Sequence, residues 1–369
     1  MDVSGGIDRF FRRVFTSVTV EGPEFDMREF QRHAHMLVST HRSHVDYFLA
    51  GYVMIFRGIK NLRFAAGGNL TRLPYIGPRF RGFGAFTVER EIAFERDYVK
   101  KLCSGVAEMM ENKEAVIVFP EGGRSYSGAT LEVKSGILGA AVLVQARRPA
   151  ENVELLPMAI SYEYPPDAPW FSLLLKGKRL RKRSQPFLKR VLGNLFYFGA
   201  DILAFVPFLS ARRTGRTYGK AYLDYDAPVS VRSLVDVEAD ADADAKDDFF
   251  KYRASMQRLA HLMHERFQAL FRLLPQHLLA AIVREKNTVT PAEAEKFLPP
   301  LLETLRKAGR NLKSIETCTP AEIVAQGQKN LLRLKALSRK DGALFVRKQA
   351  MLDYCSAPVC ETTGGPVRT

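Results

Sequence analysis

Short apolar runs alternate with longer amphipathic stretches along the first part of the chain. Short runs that stop at glycine, proline or polar positions predict strands, and apolar residues every three or four positions predict helices. The predicted strands cover 34–38, 62–66, 83–88, 115–119 and 153–161, and the predicted helices cover 45–56, 93–112 and 136–146. Strands that alternate with helices are typical of an α/β fold, so we expect a largely parallel mixed sheet flanked by helices.

The pattern also divides the chain into five segments. A lead-in helix at 1–32 precedes an α/β domain at 33–235, and an acidic, alanine-rich linker follows at 236–248. Helical apolar spacing predicts a helical C-terminal region at 249–355, and the Thr-, Gly- and Pro-rich end predicts a disordered tail at 356–369. We expect the α/β domain to carry the chemistry, because sites in such sheets lie beyond the carboxyl ends of the strands.

The composition adds a charge imbalance to this picture. The 369 residues include 55 Lys and Arg against 40 Asp and Glu, a formal net charge of +15. This charge predicts an anionic partner, such as membrane lipid, an acidic carrier protein, a phosphorylated metabolite or nucleic acid. The four cysteines form no Cys-x-x-Cys pair, so we expect no disulfide framework or zinc site, and a reducing cytosolic compartment fits. The first residues lack a basic start followed by an apolar run, which predicts no signal peptide.

His41 and Asp46 stand close together in the run Ser-Thr-His-Arg-Ser-His-Val-Asp-Tyr. A carboxylate at this spacing can hold one tautomer of the imidazole and stabilise the imidazolium. An imidazole oriented in this way is a general base for a hydroxyl group. The alternative is that His41 only caps a helix or bonds a backbone carbonyl. A metal cluster with His33, His35 and His44 is not expected, because no cysteine or spaced acidic triad completes it.

Three further blocks follow in the chain. They are Gly-Ala-Phe-Thr-Val-Glu-Arg at 84–90, Phe-Pro-Glu-Gly-Gly-Arg-Ser at 119–125 and Leu-Pro-Met-Ala-Ile-Ser-Tyr-Glu at 156–163. Together with the His41 block they resemble, in order and spacing, the four motifs of the glycerol-3-phosphate and dihydroxyacetone-phosphate acyltransferases. The resemblance covers about residues 33–228, and it implies the glycerol-phosphate acyltransferase-like α/β fold and a reaction without cofactor or metal.

The resemblance implies transfer of a fatty acyl group from acyl-CoA or an acyl carrier protein. The implied acceptor is the sn-1 hydroxyl of glycerol 3-phosphate, which gives lysophosphatidic acid for phospholipid synthesis. Dihydroxyacetone phosphate or a lysophospholipid stays open as the acceptor. A non-catalytic lipid-binding protein of the same fold is a further alternative, although the intact set of motif residues argues against loss of activity.

The resemblance also assigns roles to single residues. It makes His41 the catalytic base and Asp46 its orienting partner. Pro157 and Ile160 shape the acyl pocket, unless they are only core residues of a strand. The implied acceptor-binding residues are Ser43, Arg90, Glu121, Gly122, Gly123, Arg124 and Ser125.

Other interpretations of the acceptor-binding residues stay open. Arg90 and Arg124 suit phosphate because a guanidinium pairs bidentately with its oxygens, but surface arginines are common in a basic chain. The glycine pair permits close backbone approach to phosphate, or it is a plain turn. Glu121 either orders its loop or holds the acceptor. Glu89 stands where many relatives have a second basic residue, which affects acceptor preference if its side chain points into the site.

A basic stretch at 176–190 runs into an apolar and aromatic stretch at 191–209. Asp201 and Pro207 interrupt the apolar stretch, whereas a spanning helix needs about 20 apolar residues. We therefore expect an interfacial or re-entrant segment on an anionic membrane surface, with a buried hairpin or a true span as alternatives. The expected location is the cytoplasmic face of a membrane, as a peripheral or monotopic protein. No nucleic-acid partner is expected, because the basic residues adjoin an apolar run rather than interleaved stacking aromatics.

Overall fold

The computed structural model describes residues 11–71, 76–89, 95–171, 173–174, 217–235 and 250–364, together with isolated positions between 186 and 199. Arg90, the predicted acidic linker and nearly all of the stretch at 176–209 lie outside the described residues. The expectations for these segments stay predictions.

An eight-stranded mixed sheet forms the centre of the α/β part. Its strands are β1 (Ser17–Glu21), β2 (Ala34–Ser39), β3 (Leu62–Gly67), β4 (Ala85–Val88), β5 (Ala115–Val118), β6 (Val153–Tyr162), β7 (Lys220–Tyr225) and β8 (Val229–Ser230). Their spatial order is β1-β7-β6-β2-β5-β3-β4, with β8 beside β6. Strands β6, β2, β5, β3 and β4 are parallel neighbours, whereas β7 and β8 run antiparallel to β6. The predicted largely parallel mixed sheet is confirmed, and the carboxyl ends of five strands meet at one end of it.

Helices cover both faces of the sheet, as the burial of the β5 side chains shows. The helices of this part are α1 (Met27–Arg32), α2 (Asp46–Phe56), α3 (Gly68–Thr71), α4 (Ile76–Gly82), α5 (Arg96–Glu111), α6 (Ser135–Arg147) and α7 (Arg253–Leu270). Ile117 of β5 belongs to the core under α2, whereas Val116 and Val118 belong to the core under α5, α6 and α7. All three side chains are fully buried. A strand covered on both faces requires a continuous apolar run, as its sequence predicted.

The C-terminal part is mainly helical, as predicted, but it also contains a small sheet. The helices are α8 (Pro275–Lys286), α9 (Pro291–Lys307), α10 (Pro320–Arg333) and α11 (Gln349–Thr363), and the strands are β9 (Thr288–Val289), β10 (Leu337–Lys340) and β11 (Ala343–Val346). Asp341 and Gly342 join β10 to β11 with φ angles of 48° and 79°. An Asp-Gly pair with positive φ favours a two-residue hairpin, so this local signal competed with the helical spacing around it.

Two chain ends also differ from the prediction. Strand β1 lies within the predicted lead-in helix, where the alternation of Val18 and Val20 with polar residues suits a strand, and it pairs in parallel with β7. Helix α11 extends to Thr363 inside the predicted tail, because Val359 is fully buried in the C-terminal core.

The C-terminal helices pack against the end of the sheet at which the parallel strands finish. Glu361 of α11 accepts hydrogen bonds from the backbone N–H and the hydroxyl of Thr130, at 2.9 and 3.2 Å. Gly128 has a φ of +84°, and a Cβ atom there would lie 1.9 Å from the carbonyl oxygen of Tyr354. The loop between β5 and α6 is therefore held closely against α11, and only glycine fits at its point of closest approach.

Candidate active site

His41 lies in the loop after β2, and Asp46 is the first residue of α2. The Nδ1 atom of His41 is 2.8 Å from Oδ2 of Asp46, and both side chains are buried, with exposed fractions of 1% and 0%. With a carboxylate as its partner, Nδ1 carries the proton, which leaves Nε2 of the neutral ring as a proton acceptor. The pair has the geometry of a general base with an orienting carboxylate.

Asp46 is itself held in place by three further donors. Its Oδ2 atom accepts hydrogen bonds from the backbone N–H groups of Arg42 and Ser43, at 2.5 and 2.8 Å. Its Oδ1 atom accepts one from the hydroxyl of Tyr162, at 2.6 Å. Burial and the Asp46 charge raise the pKa of Tyr162 well above its ordinary value, so the phenol stays protonated as a donor. Tyr162 ends β6, and so two adjacent strands position the pair.

Glu121 positions the backbone of His41 from the loop after β5. Its Oε2 atom accepts a hydrogen bond from the His41 N–H at 2.6 Å, and its Oε1 atom accepts one from the Leu131 N–H at 2.8 Å. The carbonyl of His41 in turn accepts a bond from the backbone N–H of Ser125, at 2.9 Å. Of the two interpretations of Glu121, these contacts favour ordering of the loops.

Burial raises the pKa of Glu121 to about 7, although the charge of Arg42 and the two N–H donors lower it. In the unfolded chain the same group ionises near 4.5. Between these values the folded protein binds more protons than the unfolded chain, so this group's stabilising contribution is present at low pH and is lost as the pH rises to about 7.

Glu121→Gln is therefore expected to be destabilised less, relative to the parent, at pH 8 than at pH 5. Denaturant unfolding at both values measures this difference. The unfolding free energy of the parent must be subtracted at each pH, because other groups also make it depend on pH. Buried His277, whose pKa is lowered to about 3, changes this free energy in the opposite sense at acid pH. The control is Glu132→Gln, a change at an exposed position in the same loop. An equal difference from the parent at both pH values in Glu121→Gln would assign the pH dependence to another group.

Arg124 forms a buried ion pair with Asp167, at 2.5 Å between Nη1 and Oδ2, and both side chains have exposed fractions of 1%. Asp167 also accepts hydrogen bonds from the hydroxyl of Ser43 at 3.1 Å and from the backbone N–H of His44 at 3.3 Å. Sequence reasoning missed Asp167. Its position just beyond the carboxyl end of β6, beside the other motif ends, was the available signal.

The other predicted site residues of the block at 119–125 differ in their burial. Ser125 is fully buried, and its hydroxyl donates to the carbonyl of Ala129 at 2.6 Å. Gly122 is exposed and Gly123 is partly exposed. Gly122 has a φ of +72° and donates its N–H to the carbonyl of Phe119 at 3.2 Å, as in a turn. The loop thus brings Glu121, Arg124 and Ser125 inward and turns the glycines outward.

Residues 17–161 match the family model described as Acyltransferase. This match supports an acyltransferase domain in that part of the chain. The matched range begins with β1 and ends within β6, so it includes the first three motif blocks and most of the fourth. It therefore contains His41, Asp46, Glu121 and Arg124.

Arg42 connects the loop after β5 to the segment before α8, a role that sequence reasoning did not predict. Its guanidinium donates to the carbonyls of Gly128 and Ala129, at 2.7 and 2.9 Å. It also lies over the ring of Phe271, 4.4 Å from the ring centroid. The residue directly after His41 is thus fixed by both the loop between β5 and α6 and the segment before α8.

The predicted acyl-pocket residues lie within β6. Pro157 is opposite Val38 of β2, and Ile160 donates its N–H to the hydroxyl of Thr40 at 3.0 Å. Both are buried, and Ile160 lines a cavity of about 10 Å³, which has room for about one water molecule and not for an acyl chain. The contacts match the core-strand alternative, and the acyl-pocket role stays a prediction.

The residues that the structure describes contain no group of three His, Cys, Asp or Glu side chains arranged to bind a metal ion. No helix in the described part of the chain has both the length and the apolar character needed to cross a bilayer. Of the predicted membrane-binding stretch and its basic flank, the described side chains of Leu188, Val191 and Leu192 are exposed.

Proposed function

We propose that the protein transfers a fatty acyl group from an acyl thioester to the sn-1 hydroxyl of glycerol 3-phosphate. The observation that carries this proposal is the buried His41–Asp46 pair at the carboxyl end of β2, within the residues that match the Acyltransferase family model. The donor is acyl-CoA or an acyl carrier protein, and the product is lysophosphatidic acid. The proposed chemistry uses side chains alone and assigns no step to a cofactor.

In the proposed reaction, Nε2 of His41 takes the proton of the acceptor hydroxyl as its oxygen attacks the thioester carbonyl carbon. The carbonyl π electrons move to oxygen, which gives a tetrahedral intermediate. When the intermediate collapses, the carbon–sulfur bond breaks and the thiolate takes the proton back from the imidazolium. Asp46 holds the ring and stabilises its charge throughout. Binding both substrates side by side supplies much of the rate acceleration.

The acceptor phosphate is proposed to lie near Arg90, Arg124 and Ser125, with the outward-facing glycine pair at the entrance. Because Arg124 is paired with Asp167, phosphate must share this guanidinium with the carboxylate or displace it. A guanidinium has five N–H donors, so sharing is chemically reasonable. Ser43 is bonded to the same carboxylate and would respond to any such rearrangement.

The partner surface is proposed to be an anionic membrane, on its cytoplasmic face. The net charge of +15 and the exposed apolar residues Leu188, Val191 and Leu192 support peripheral attachment. A product with a fatty acyl chain also favours reaction at a lipid surface, where the chain leaves water.

The test is an acceptor panel, with a radiolabelled acyl thioester and anionic or neutral vesicles. Glycerol 3-phosphate is expected to be acylated faster than dihydroxyacetone phosphate or lysophosphatidate, and anionic vesicles are expected to raise the rate in a salt-sensitive way. Preference for a lysophospholipid would overturn the proposed acceptor while keeping acyl transfer. Equal rates with neutral and anionic vesicles would contradict the proposed surface.

A further inference from the structure

Tyr47 lies directly against the nitrogen that the proposed reaction needs. Its hydroxyl is 3.2 Å from Nε2 of His41, and only 3% of the residue is exposed. Its ring meets the imidazole edge to face, with centroids 5.0 Å apart, and Phe119 packs on both rings, at 4.8 Å from Tyr47 and 4.5 Å from His41. Since Nδ1 donates to Asp46, Nε2 accepts, and the Tyr47 hydroxyl is the donor in this contact.

The Tyr47 hydroxyl occupies the position beside Nε2 of His41 that the acceptor hydroxyl must reach. A base accepts a proton only from a group within hydrogen-bond distance, and Tyr47 already stands at that distance from Nε2. The acceptor oxygen must therefore take the place of the Tyr47 hydroxyl. The displaced phenol then lies beside the reacting centre with a proton still to donate.

We propose that Tyr47 is a further catalytic residue of this reaction. Its hydroxyl holds the place of the acceptor hydroxyl in the free enzyme, and after displacement it donates a hydrogen bond to the oxyanion of the tetrahedral intermediate. The phenol keeps its proton throughout, because the proton that moves travels from the acceptor to Nε2 and then to the leaving thiolate. This inference rests on the proposed acyl-transfer function.

Tyr162 also lies near the pair, but its hydroxyl donates to Asp46 and not to the imidazole. Tyr162 gives its single proton to Oδ1 of Asp46 at 2.6 Å, on the side of the carboxylate away from the imidazole contact. Tyr162 therefore acts through Asp46, whereas Tyr47 touches the imidazole at its reacting nitrogen. A donor aimed at a developing oxyanion is among the largest single contributions to catalysis of acyl transfer.

Tyr47→Phe tests the proposal, because it removes the hydroxyl and keeps the packed ring. We expect kcat to fall by about 100-fold or more, as for loss of one oxyanion donor, with no rise in KM for the acceptor. The matched control is Tyr52→Phe on the same helix, which is expected to keep the parent's kcat. In a His41→Ala background, Tyr47→Phe is expected to cause little further loss, because the two groups act on one step.

A measurement that needs no turnover separates this inference from the proposed function. The ¹⁵N NMR signal of Nε2 of His41 is expected to shift in Tyr47→Phe but not in Tyr52→Phe. An active parent whose kcat is unchanged in Tyr47→Phe overturns the role of Tyr47 alone, and so does an unchanged Nε2 signal. A kcat loss in Tyr47→Phe that is matched by an equal loss of folded protein assigns Tyr47 to packing and also overturns it. A parent without any acyl transfer overturns the proposed function, whatever the NMR signal does.

Discussion

His41→Ala is expected to reduce the rate of acyl transfer by about two to four orders of magnitude, the usual contribution of a positioned general base. The variant loses the imidazole nitrogen that accepts the proton, and Asp46 loses the group that it orients. Initial rates with an acyl thioester and glycerol 3-phosphate measure the effect. A loss of this size would establish His41 as the base.

Burial of His41 makes controls necessary, because alanine leaves a cavity in the core. His41→Gln keeps most of the volume but has no basic nitrogen, and it is expected to lose activity to a similar extent while remaining folded. His33→Ala, at a side chain that is 30% exposed, is expected to keep the parent's rate. A folded His41→Gln protein with parental activity would contradict the role of the imidazole.

Asp167→Ala is expected to lower the free energy of unfolding by about 3–5 kcal/mol, because it leaves the Arg124 charge buried without its carboxylate. The substitution also removes the acceptor for the Ser43 hydroxyl and the His44 N–H. Since both lie between His41 and Asp46, activity is expected to fall as well. Urea unfolding of parent and variant measures the change in stability.

Asp226→Ala provides a matched control for the ion pair. The Arg266–Asp226 pair has the same 2.5 Å separation, but its side chains are 45% and 27% exposed. Loss of such a pair is expected to cost at most about 1 kcal/mol. Equal losses of unfolding free energy in the two variants would show that burial of Arg124 does not determine how much its ion pair stabilises the fold.

The regular elements around the site could be predicted from sequence because each has its own periodic signal. The predicted strands at 34–38 and 115–119 and the predicted helix at 45–56 agree with the structure to within one residue at each end. The apolar run of β5 specifies burial on both faces without reference to any other segment. Since parallel strands end together, the order of the motif blocks also predicted that their ends would be neighbours.

The contacts that hold the site together could not be predicted in the same way, because they join distant segments. Asp167 accepts from Ser43 across 124 positions, and Glu361 accepts from Thr130 across 231 positions. No local pattern marks either carboxylate, and each partner is set by the packing of whole elements. Strand β1 was missed for a related reason, because its parallel partner β7 lies about two hundred residues away.

Arg124 makes a structural contact that its motif did not predict. Its sequence context resembles a phosphate-binding position, and the structure places it in an internal ion pair. A buried carboxylate that competes with phosphate for the same guanidinium would make acceptor binding depend on a local rearrangement. Phosphate binding by Arg124 stays a prediction.

The most direct test of the account is the release of free thiol from an acyl thioester by the purified parent protein with anionic vesicles and glycerol 3-phosphate. We expect thiol release in equal amounts with a monoacylated product that carries the acyl group on the sn-1 oxygen, as resolved by mass spectrometry. The opposite result is a folded, vesicle-binding protein that acylates none of glycerol 3-phosphate, dihydroxyacetone phosphate and lysophospholipid. That result would contradict the proposed acyl transfer and favour a non-catalytic lipid-binding role.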